Sequence, residues 1–285
     1  MATTVREVPI NGMNFRIREA GMSGEPVLLL HGFPETSRMW EQLMPKLAEA
    51  GYRCIAPDQR GYSPNARPEG VEPYKTENLV ADAFAIADAC GFGAKFHLVA
   101  HDWGAGVGWR MVKAHPERIA SYTSMSIPHP ASYGRAFRDD PDQQQRSQYI
   151  IFFQQPGAAE EMMLANDGAM LSTIWDKHTK EEVAELIAHF KAPGALTAAI
   201  NWYRAAFGLQ GGQDIEDEFT VTVPTLLIWG NQDQAVGPAT VKTHDQYMKG
   251  PNKFVELTAG HWLVQEKFED VLRETVAQLK GFPLK

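Results

Sequence analysis

Residues 98–106 read Leu-Val-Ala-His-Asp-Trp-Gly-Ala-Gly, and this stretch decides the fold. The apolar run at 96–100 is typical of a buried strand, and the residues from about 107 onward read as a helix. Small residues flank the turn because strand and helix backbones approach so closely there that a Cβ would clash. A strand, a sharp turn and a helix with the pattern small-x-nucleophile-x-Gly predict a nucleophile elbow.

Asp102 occupies the nucleophile position of this elbow, where an esterase has serine. A carboxylate needs no base to remove a proton before it attacks an electrophilic carbon. The attack displaces a leaving group and leaves an ester on the enzyme. The alternative interpretation is an aspartate that only caps the following helix. The positions of an acid and a histidine later in the chain distinguish the nucleophile from the capping residue.

Composition and charge exclude several classes of function. The chain has 285 residues, enough for one large α/β domain with an insertion or for two small domains. A formal net charge of −8, with no lysine or arginine run, argues against a nucleic-acid or anionic-membrane partner. We find no leader pattern and no long apolar run, and we interpret Cys54 and Cys90 as reduced core thiols. These features together predict a cytoplasmic protein.

Strand and helix patterns alternate through the first 130 residues. The predicted elements are a hairpin around Asn11-Gly12, strands at 27–30, 52–57, 96–100 and 119–127, and helices at about 36–50, 76–90 and after the elbow. Strands that alternate with helices imply a mostly parallel sheet that is covered by helices on both faces.

Residues 131–212 interrupt this alternation with helical patterns alone. These patterns lie at 142–155, 158–165, 180–191 and 194–207. Alternation then returns with segments at 221–229, 240–248 and 254–257 and a closing helix at 266–280. We therefore expect an α/β core formed by residues 1–130 and 213–285, and a helical lid domain formed by residues 131–212.

The elbow also predicts where its partners lie, because in this architecture the chain order is nucleophile, acid, histidine. Asp233 follows the late strand at 221–229, and His261 follows the last strand. Both then lie at the carboxyl ends of parallel strands, where open α/β sheets place their sites. Among nine histidines only His261 meets this positional demand, and we expect His101 to point into the core. The alternative for Asp233 is a simple turn residue.

An oxyanion site is the next requirement. The residues at 31–34, His-Gly-Phe-Pro, end a neighbouring earlier strand, so the backbone N–H of Phe33 can face that of Trp103. Two such donors stabilise a tetrahedral oxyanion. A cis peptide before Pro34 would fit a tight loop.

With these motifs in place, the chain resembles the epoxide hydrolases of the α/β-hydrolase fold over essentially its whole length. The resemblance rests on His-Gly-x-Pro at 31–34, His-Asp-Trp-Gly at 101–104, Trp-Gly-Asn-Gln-Asp at 229–233 and Gly-His at 260–261. That family also uses two lid tyrosines. Tyr149 matches the first in Ser-Gln-Tyr-Ile-Ile-Phe-Phe-Gln (147–154), and Tyr203 matches the second in Asn-Trp-Tyr-Arg (201–204). The tyrosines are the more specific signal, because dehalogenases share the triad.

The resemblance implies a reaction in two halves. Asp102 attacks a ring carbon of an epoxide while Tyr149 and Tyr203, phenols with an ordinary pKa near 10, donate to the ring oxygen. His261, oriented by Asp233, then activates a water that hydrolyses the alkyl-enzyme ester to a vicinal diol. Neither a metal nor an organic cofactor is required.

The sequence does not name the epoxide. Aromatic side chains near the motifs could furnish an apolar pocket for a small alkyl or aryl epoxide, and they are Phe33, Trp103, Phe152, Phe153, Trp202 and Phe207. The expected partners are therefore a small apolar epoxide and water, without nucleic acid or membrane. Both a monomer and a homodimer fit the sequence.

Two other classes of protein remain as alternatives: the dehalogenases, of two kinds, and a non-catalytic receptor. A haloalkane dehalogenase has the same aspartate nucleophile with Trp103 as a halide donor, but Phe33 stands where many such enzymes have asparagine. A haloacid dehalogenase of the fluoroacetate type places arginines after the nucleophile, where this chain has Trp103 and Gly106. A non-catalytic small-molecule receptor on a hydrolase scaffold would not need Asp102, Asp233 and His261 together.

Overall fold

A twisted central sheet organises the molecule, whose computed structural model describes residues 2–207 and 218–284. Within these ranges eight strands lie in the order β1-β2-β4-β3-β5-β6-β7-β8. Their bounds are β1 Thr4–Ile10, β2 Met13–Ala20, β3 Glu25–Leu30, β4 Tyr52–Pro57, β5 Phe96–His101, β6 Ile119–Met125, β7 Thr225–Gly230 and β8 Asn252–Leu257. The β1–β2 and β2–β4 pairs are antiparallel, and the pairs from β4 to β8 are parallel.

Helices cover both faces of this sheet and fill the interval between β6 and β7. Their bounds are α1 Leu43–Glu49, α2 Thr76–Ala89, α3 Trp103–Ala114, α4 Pro130–Asp139, α5 Pro141–Arg146, α6 Gln148–Phe153, α7 Ala158–Ile174, α8 Lys180–Lys191, α9 Ala195–Phe207, α10 Leu263–Glu266 and α11 Phe268–Gly281. The described residues between β6 and β7 include no strand, and we call residues 130–207 the helical segment. Every helix in the described ranges is too short or too polar to cross a membrane.

The apolar strand runs are explained by burial on both faces. In β3, Val27 and Leu29 belong to a core cluster that includes residues of α1 and α11. Leu28 and Leu30 belong to the opposite cluster, which includes residues of α2, α3 and the helical segment. Because neighbouring side chains of a strand point to opposite faces, such a strand must be apolar throughout. The predicted doubly covered, mostly parallel sheet is confirmed.

The hairpin and the strands of the first half agree with the sequence. Asn11 and Gly12 have φ angles of 51° and 77°, which is the backbone that a two-residue hairpin turn requires. The predicted helix at 36–50 is wrong in detail, since a 3₁₀ turn at Ser37–Trp40 precedes the separate helix α1. Pro45 explains the break, because its ring clashes with the carbonyl four residues earlier and excludes one continuous helix.

The helical segment differs from prediction in three places. Helix α4 was not predicted; it begins at Pro130, a residue whose fixed φ and missing N–H suit the first helical position. The stretch predicted as one helix at 142–155 is two helices that meet at Ser147. The helix predicted at 158–165 continues as α7 to Ile174, across four non-helical residues at 165–168.

The last part of the chain also needs two corrections. Strand β7 starts at Thr225 rather than at Val221, because Pro224 has no N–H to donate to a sheet. A 3₁₀ turn at Pro238–Thr240 ends at the start of the segment at 240–248, and a second one, His244–Tyr247, lies within that segment. Neither change moves the loops after β7 and β8, which remain at the carboxyl edge of the sheet beside the elbow.

Candidate active site

The elbow places Asp102 at the carboxyl end of β5 in an uncommon backbone conformation. Its φ is 50° and its ψ is −124°, a region that costs a residue with a side chain on the order of 1–3 kcal/mol. Two glycines let the neighbouring chain come close. A Cβ on Gly104 would collide with the Leu30 carbonyl, and a Cβ on Gly32 would collide with the Asp102 carboxylate. The carboxylate is therefore held at the floor of a tight, preformed turn.

The loop after β3, residues 31–35, supplies the first contact to this carboxylate and is called the oxyanion loop. The Phe33 N–H donates to Oδ1 of Asp102 at 2.8 Å, and the Trp103 N–H also donates to the carboxylate. The Phe33–Pro34 peptide is cis. Both N–H groups named by the sequence thus converge on one carboxylate, and its Oδ2 is left to face His261.

Asp233 and His261 meet beside the nucleophile. The Nδ1 atom of His261 lies 2.8 Å from Oδ2 of Asp233, and its Nε2 atom lies 3.7 Å from Oδ2 of Asp102. The other oxygen of Asp233 accepts the backbone N–H groups of Ala235 at 2.8 Å and Val236 at 3.0 Å. These bonds fix the Asp233 carboxylate, and that carboxylate fixes the imidazole between two acids.

The charged groups in this cluster shift the pKa values of one another. Burial acts to lower the pKa of His261, but the carboxylates of Asp233 and Asp102 outweigh it and raise that pKa to about 9. Burial acts to raise the pKa of Asp233, yet the charge and hydrogen bond of His261 hold it below its ordinary value. Burial raises the pKa of Asp102, opposed by His261. At neutral pH the free site therefore contains an imidazolium beside the nucleophile.

Tyr149 and Tyr203 come from helices α6 and α9 and line the cavity that contains Asp102. Their ring centroids are 5.9 Å apart with an interplanar angle of 82°. Burial raises the pKa of each phenol well above 10, so both are neutral donors at physiological pH. The ring of Tyr203 packs edge-on against Trp103 at 4.9 Å, and a hydrogen bond from the Trp103 side chain reaches its hydroxyl.

The cavity has a volume of about 600 Å³ and two kinds of wall. Near Asp102 the wall is aromatic and is formed by Phe33, Phe153 and Trp262 together with the two tyrosines. Polar residues form another part of the wall, and they include Arg146, Thr173, Asp176, Lys177, Gln232, Gln234 and Glu266. A bound molecule would therefore meet both aromatic surface and hydrogen-bonding groups.

Only some of the predicted substrate-binding residues line the described cavity. Phe33 and Phe153 line it, whereas four others do not belong to its described wall: Trp103, Phe152, Trp202 and Phe207. The reason is helical phase, because consecutive residues of a helix point about 100° apart. With Phe153 and Tyr203 directed at the cavity, the side chains that precede them point elsewhere.

Contacts of the excluded residues show where they point. The indole N–H of Trp202 donates to the Arg60 carbonyl at 2.9 Å, and the side chain is buried in the core. The ring of Phe207 packs against the rings of Trp103 and Phe137, with centroid separations of 6.1 and 6.0 Å. These side chains support the tyrosines and the elbow from behind.

Two polar contacts of the site were not expected from the sequence. Arg146 donates from Nη1 to the backbone carbonyl of Asp233 at 2.6 Å and from Nε to Asp142 at 2.7 Å. The spacing of Asp142 and Arg146 indicates only a helical surface pair. His101 is buried as predicted, but its imidazole contacts the backbone of His261. No sequence signal distinguishes such contacts from ordinary core packing.

The helical segment is also tied to both catalytic loops. Nε2 of His178 lies 2.5 Å from Oε1 of Glu35 in the oxyanion loop, and both side chains are buried. On the other side, the indole N–H of Trp262 donates to the Ile174 carbonyl at 2.7 Å. Residues 174–178 therefore join the neighbours of Phe33 and His261. The sequence offered no pattern for these contacts, since they connect positions far apart in the chain.

Comparison with known proteins agrees with this geometry. The family model of the α/β hydrolase fold matches residues 25–268. An AB hydrolase superfamily protein, YfhM, of Bacillus subtilis is 34% identical over 91% of this chain and 92% of its own length. Epoxide hydrolase A of Mycobacterium tuberculosis is 32% identical, covering 100% of this chain and 99% of that protein. The crystal structure of a Bacillus megaterium epoxide hydrolase with an inhibitor is 26% identical, covers 96% of this chain and 100% of that one, and has a TM-score of 0.88. The chain belongs to the α/β hydrolase family and, within it, to the epoxide hydrolases.

Proposed function

We propose that this enzyme converts an epoxide to a vicinal diol through an ester on Asp102. One observation carries the proposal. A buried carboxylate, a histidine and two neutral phenols line a single cavity, with the phenols on the helical segment and the other groups on loops of the sheet. This arrangement suits an electrophile that is attacked at carbon while its oxygen accepts hydrogen bonds.

In the first half, Oδ2 of Asp102 forms a bond to a ring carbon and the carbon–oxygen bond of the ring breaks. The ring oxygen accepts hydrogen bonds from Tyr149 and Tyr203, and one phenol transfers its proton. Without these donors the leaving oxygen would be a free alkoxide, a poor leaving group. Because burial keeps both phenols neutral, they can donate over the whole physiological pH range.

Ester formation then changes the state of His261. The Asp102 charge is one of the causes that raise the pKa of His261, and esterification removes that charge. The imidazolium therefore releases its proton more readily, and this proton restores the phenol through water. His261 becomes the neutral base that the second half needs.

In the second half, His261 takes a proton from water and the hydroxide adds to the carboxyl carbon of Asp102. The resulting oxyanion accepts the Phe33 and Trp103 N–H groups. The ester bond then breaks, and the proton of the added hydroxyl group passes to the leaving alkoxide. The product leaves as the diol. Asp102 is again a carboxylate and His261 again an imidazolium, so one epoxide and one water have become one diol.

We also propose that residues 131–212 act as the lid and that residues 1–130 and 213–285 act as the catalytic core; the boundary at 212–213 lies outside the described residues. The division is supported by the source of the reacting groups. Asp102, Asp233 and His261 follow strands of the sheet, whereas Tyr149 and Tyr203 lie on helices between β6 and β7. The two cysteines are free and buried, which fits the cytoplasmic location that we propose.

The substrate that fits this cavity is an epoxide with an alkyl or aryl group next to the ring. Phe33, Phe153 and Trp262 provide the apolar wall beside Asp102. The dehalogenase alternative is disfavoured by the position of Trp103. That residue is not part of the described cavity wall, and its ring packs edge-on against Tyr203.

A panel of alkyl and aryl epoxides and haloalkanes tests this function. Diol formation and halide release are scored separately, with the Asp102→Ala variant as the blank for each compound. We expect diol from epoxides and no halide above the blank. Halide release without diol formation would instead establish a dehalogenase, and turnover of neither class would support a receptor.

A further inference from the structure

His101 makes a contact that the catalytic scheme does not use. It is the last residue of β5, directly before Asp102, and its side chain is fully buried. Its Nε2 atom lies 2.9 Å from the backbone carbonyl oxygen of His261. The two imidazole rings are 4.7 Å apart between centroids. The strand of the nucleophile is thus bonded directly to the residue that activates water.

The chemistry of this contact fixes the form of His101. A carbonyl oxygen only accepts, so Nε2 must hold the proton. Burial lowers the pKa of His101 to about 3, and the charge of His261 acts in the same direction. The ring is therefore neutral at every working pH. Its Nδ1 atom is buried without a hydrogen-bond partner among the described residues, so the bond to the His261 carbonyl is the hydrogen bond that these residues give the ring.

The His261 carbonyl has other donors, but they come from different places. The Leu263 N–H donates at 3.0 Å from within the same loop, and the Ser126 hydroxyl lies at 3.5 Å. On the preceding residue, the Gly260 N–H donates to both oxygens of Glu266, at 3.1 and 3.0 Å. His101 supplies the short bond that connects this loop to the elbow.

We propose that His101 is a positioning residue that holds the backbone of His261, so that the Nε2 atom of His261 faces the water that attacks the Asp102 ester. Asp233 fixes the opposite ring nitrogen at 2.8 Å. With the ring held at Nδ1 and the backbone held at its carbonyl, the direction of Nε2 is determined. This inference rests on the proposed function.

The inference separates the two halves of the reaction. Asp102 attacks without a base, so loss of the His101 bond leaves ester formation unchanged. Ester hydrolysis depends on the placement of His261 and should slow about 10- to 100-fold, the usual effect of a misplaced catalytic group. Because kcat then falls while kcat/KM still reports ester formation, KM falls in proportion to kcat.

The test compares His101→Leu, which removes the donor, with His101→Gln, whose amide N–H can replace it. His97→Gln is the matched control. His97 is a buried histidine of the same strand, bonded to Ser121 at 2.8 Å and Glu25 at 3.1 Å, away from the site. Rapid quenching and intact-mass spectrometry after one turnover give both rates, and thermal unfolding gives the stability of each variant.

We expect ester to accumulate in His101→Leu, near wild-type hydrolysis in His101→Gln, and no kinetic change in His97→Gln. Wild-type ester hydrolysis in His101→Leu would overturn the inference and leave the proposed function intact. Equal slowing of both halves in the Leu and Gln variants, with lowered Tm, would also overturn it, since His101 would then be merely structural. If the His261→Gln variant forms no ester, the proposed function itself fails.

Discussion

The Nε2 atom of His261 and Oδ2 of Asp102 lie 3.7 Å apart, whereas the other ring nitrogen of His261 is 2.8 Å from Asp233. A separation of 3.7 Å is too long for a hydrogen bond, so His261 is bonded to Asp233 and only faces Asp102. Esterification can therefore remove the Asp102 charge without breaking a bond of the imidazole.

The raised pKa of His261 predicts a pH dependence of stability. Its pKa is about 9 in the folded protein, above the ordinary histidine value of 6.5, so the folded state binds the proton more tightly. The stabilisation is fully present below pH 6.5 and is lost as the pH rises to about 9; its size is on the order of 3 kcal/mol. Urea unfolding between pH 6 and pH 10 measures it.

His261→Gln provides the control for that experiment, because the variant has no group that titrates in this window at the same place. We expect the free energy of unfolding of the wild type to fall toward the value of the variant, or below it, as the pH passes 9. Parallel curves for the two proteins would show that His261 has an ordinary pKa.

Replacing the nucleophile should stop the reaction without unfolding the protein. We expect Asp102→Ala to form no diol and no covalent adduct, because no other group in the described cavity wall can take its place at the elbow. Removal of a buried charge should leave Tm close to that of the wild type. Circular dichroism and diol assays check both points, and a folded variant that retains activity would remove Asp102 as the nucleophile.

The two phenols should act as partial substitutes for each other. We expect Tyr149→Phe and Tyr203→Phe each to slow ester formation, and the double variant nearly to abolish it, because one phenol still assists and none leaves a bare alkoxide. Single-turnover quenching measures ester formation directly. Tyr52→Phe is the matched control, since it removes the hydroxyl of a buried tyrosine of β4 that lies outside the described cavity wall. Normal turnover by the double variant would refute the assignment.

The Glu35–His178 contact should contribute to stability as a pair. Both side chains are buried. Removing one of them leaves the other as a buried polar group without its partner, which costs about 1–3 kcal/mol. We expect Glu35→Gln and His178→Leu each to destabilise the protein by about 2 kcal/mol, and the double variant to lose less than the sum. Urea unfolding of the four proteins completes the cycle, and strictly additive losses would exclude coupling.

Local patterns made much of this structure predictable. Asn11-Gly12 indicates a hairpin through its backbone requirement alone, and Asp102 indicates an elbow because small residues must follow it. Asp233 and His261 are found from the topology, since the ends of parallel strands meet at one edge of a sheet. In each case a short stretch of sequence carries the constraint.

What could not be predicted depends on the relative orientation of elements. Trp202 and Tyr203 are neighbours in the chain, and only the rotation of α9 against the core decides which one faces the cavity. The same holds for Phe152 and Phe153 on α6. The contact of His101 with the His261 carbonyl joins residues 160 positions apart, and no periodicity encodes it. Helix phase and long-range polar contacts therefore had to come from the structure.

The covalent ester is the central claim, and the mass of the His261→Gln variant after exposure to an epoxide tests it most directly. The Phe33 and Trp103 N–H groups still stabilise the Asp102 carboxylate in this variant, so ester formation should survive, while hydrolysis loses its base. The account predicts that the variant gains the mass of the whole epoxide, because ring opening expels no atom, and that peptide mapping places the adduct on Asp102. An unmodified variant, with an epoxide that the wild type turns over rapidly, would contradict the covalent mechanism.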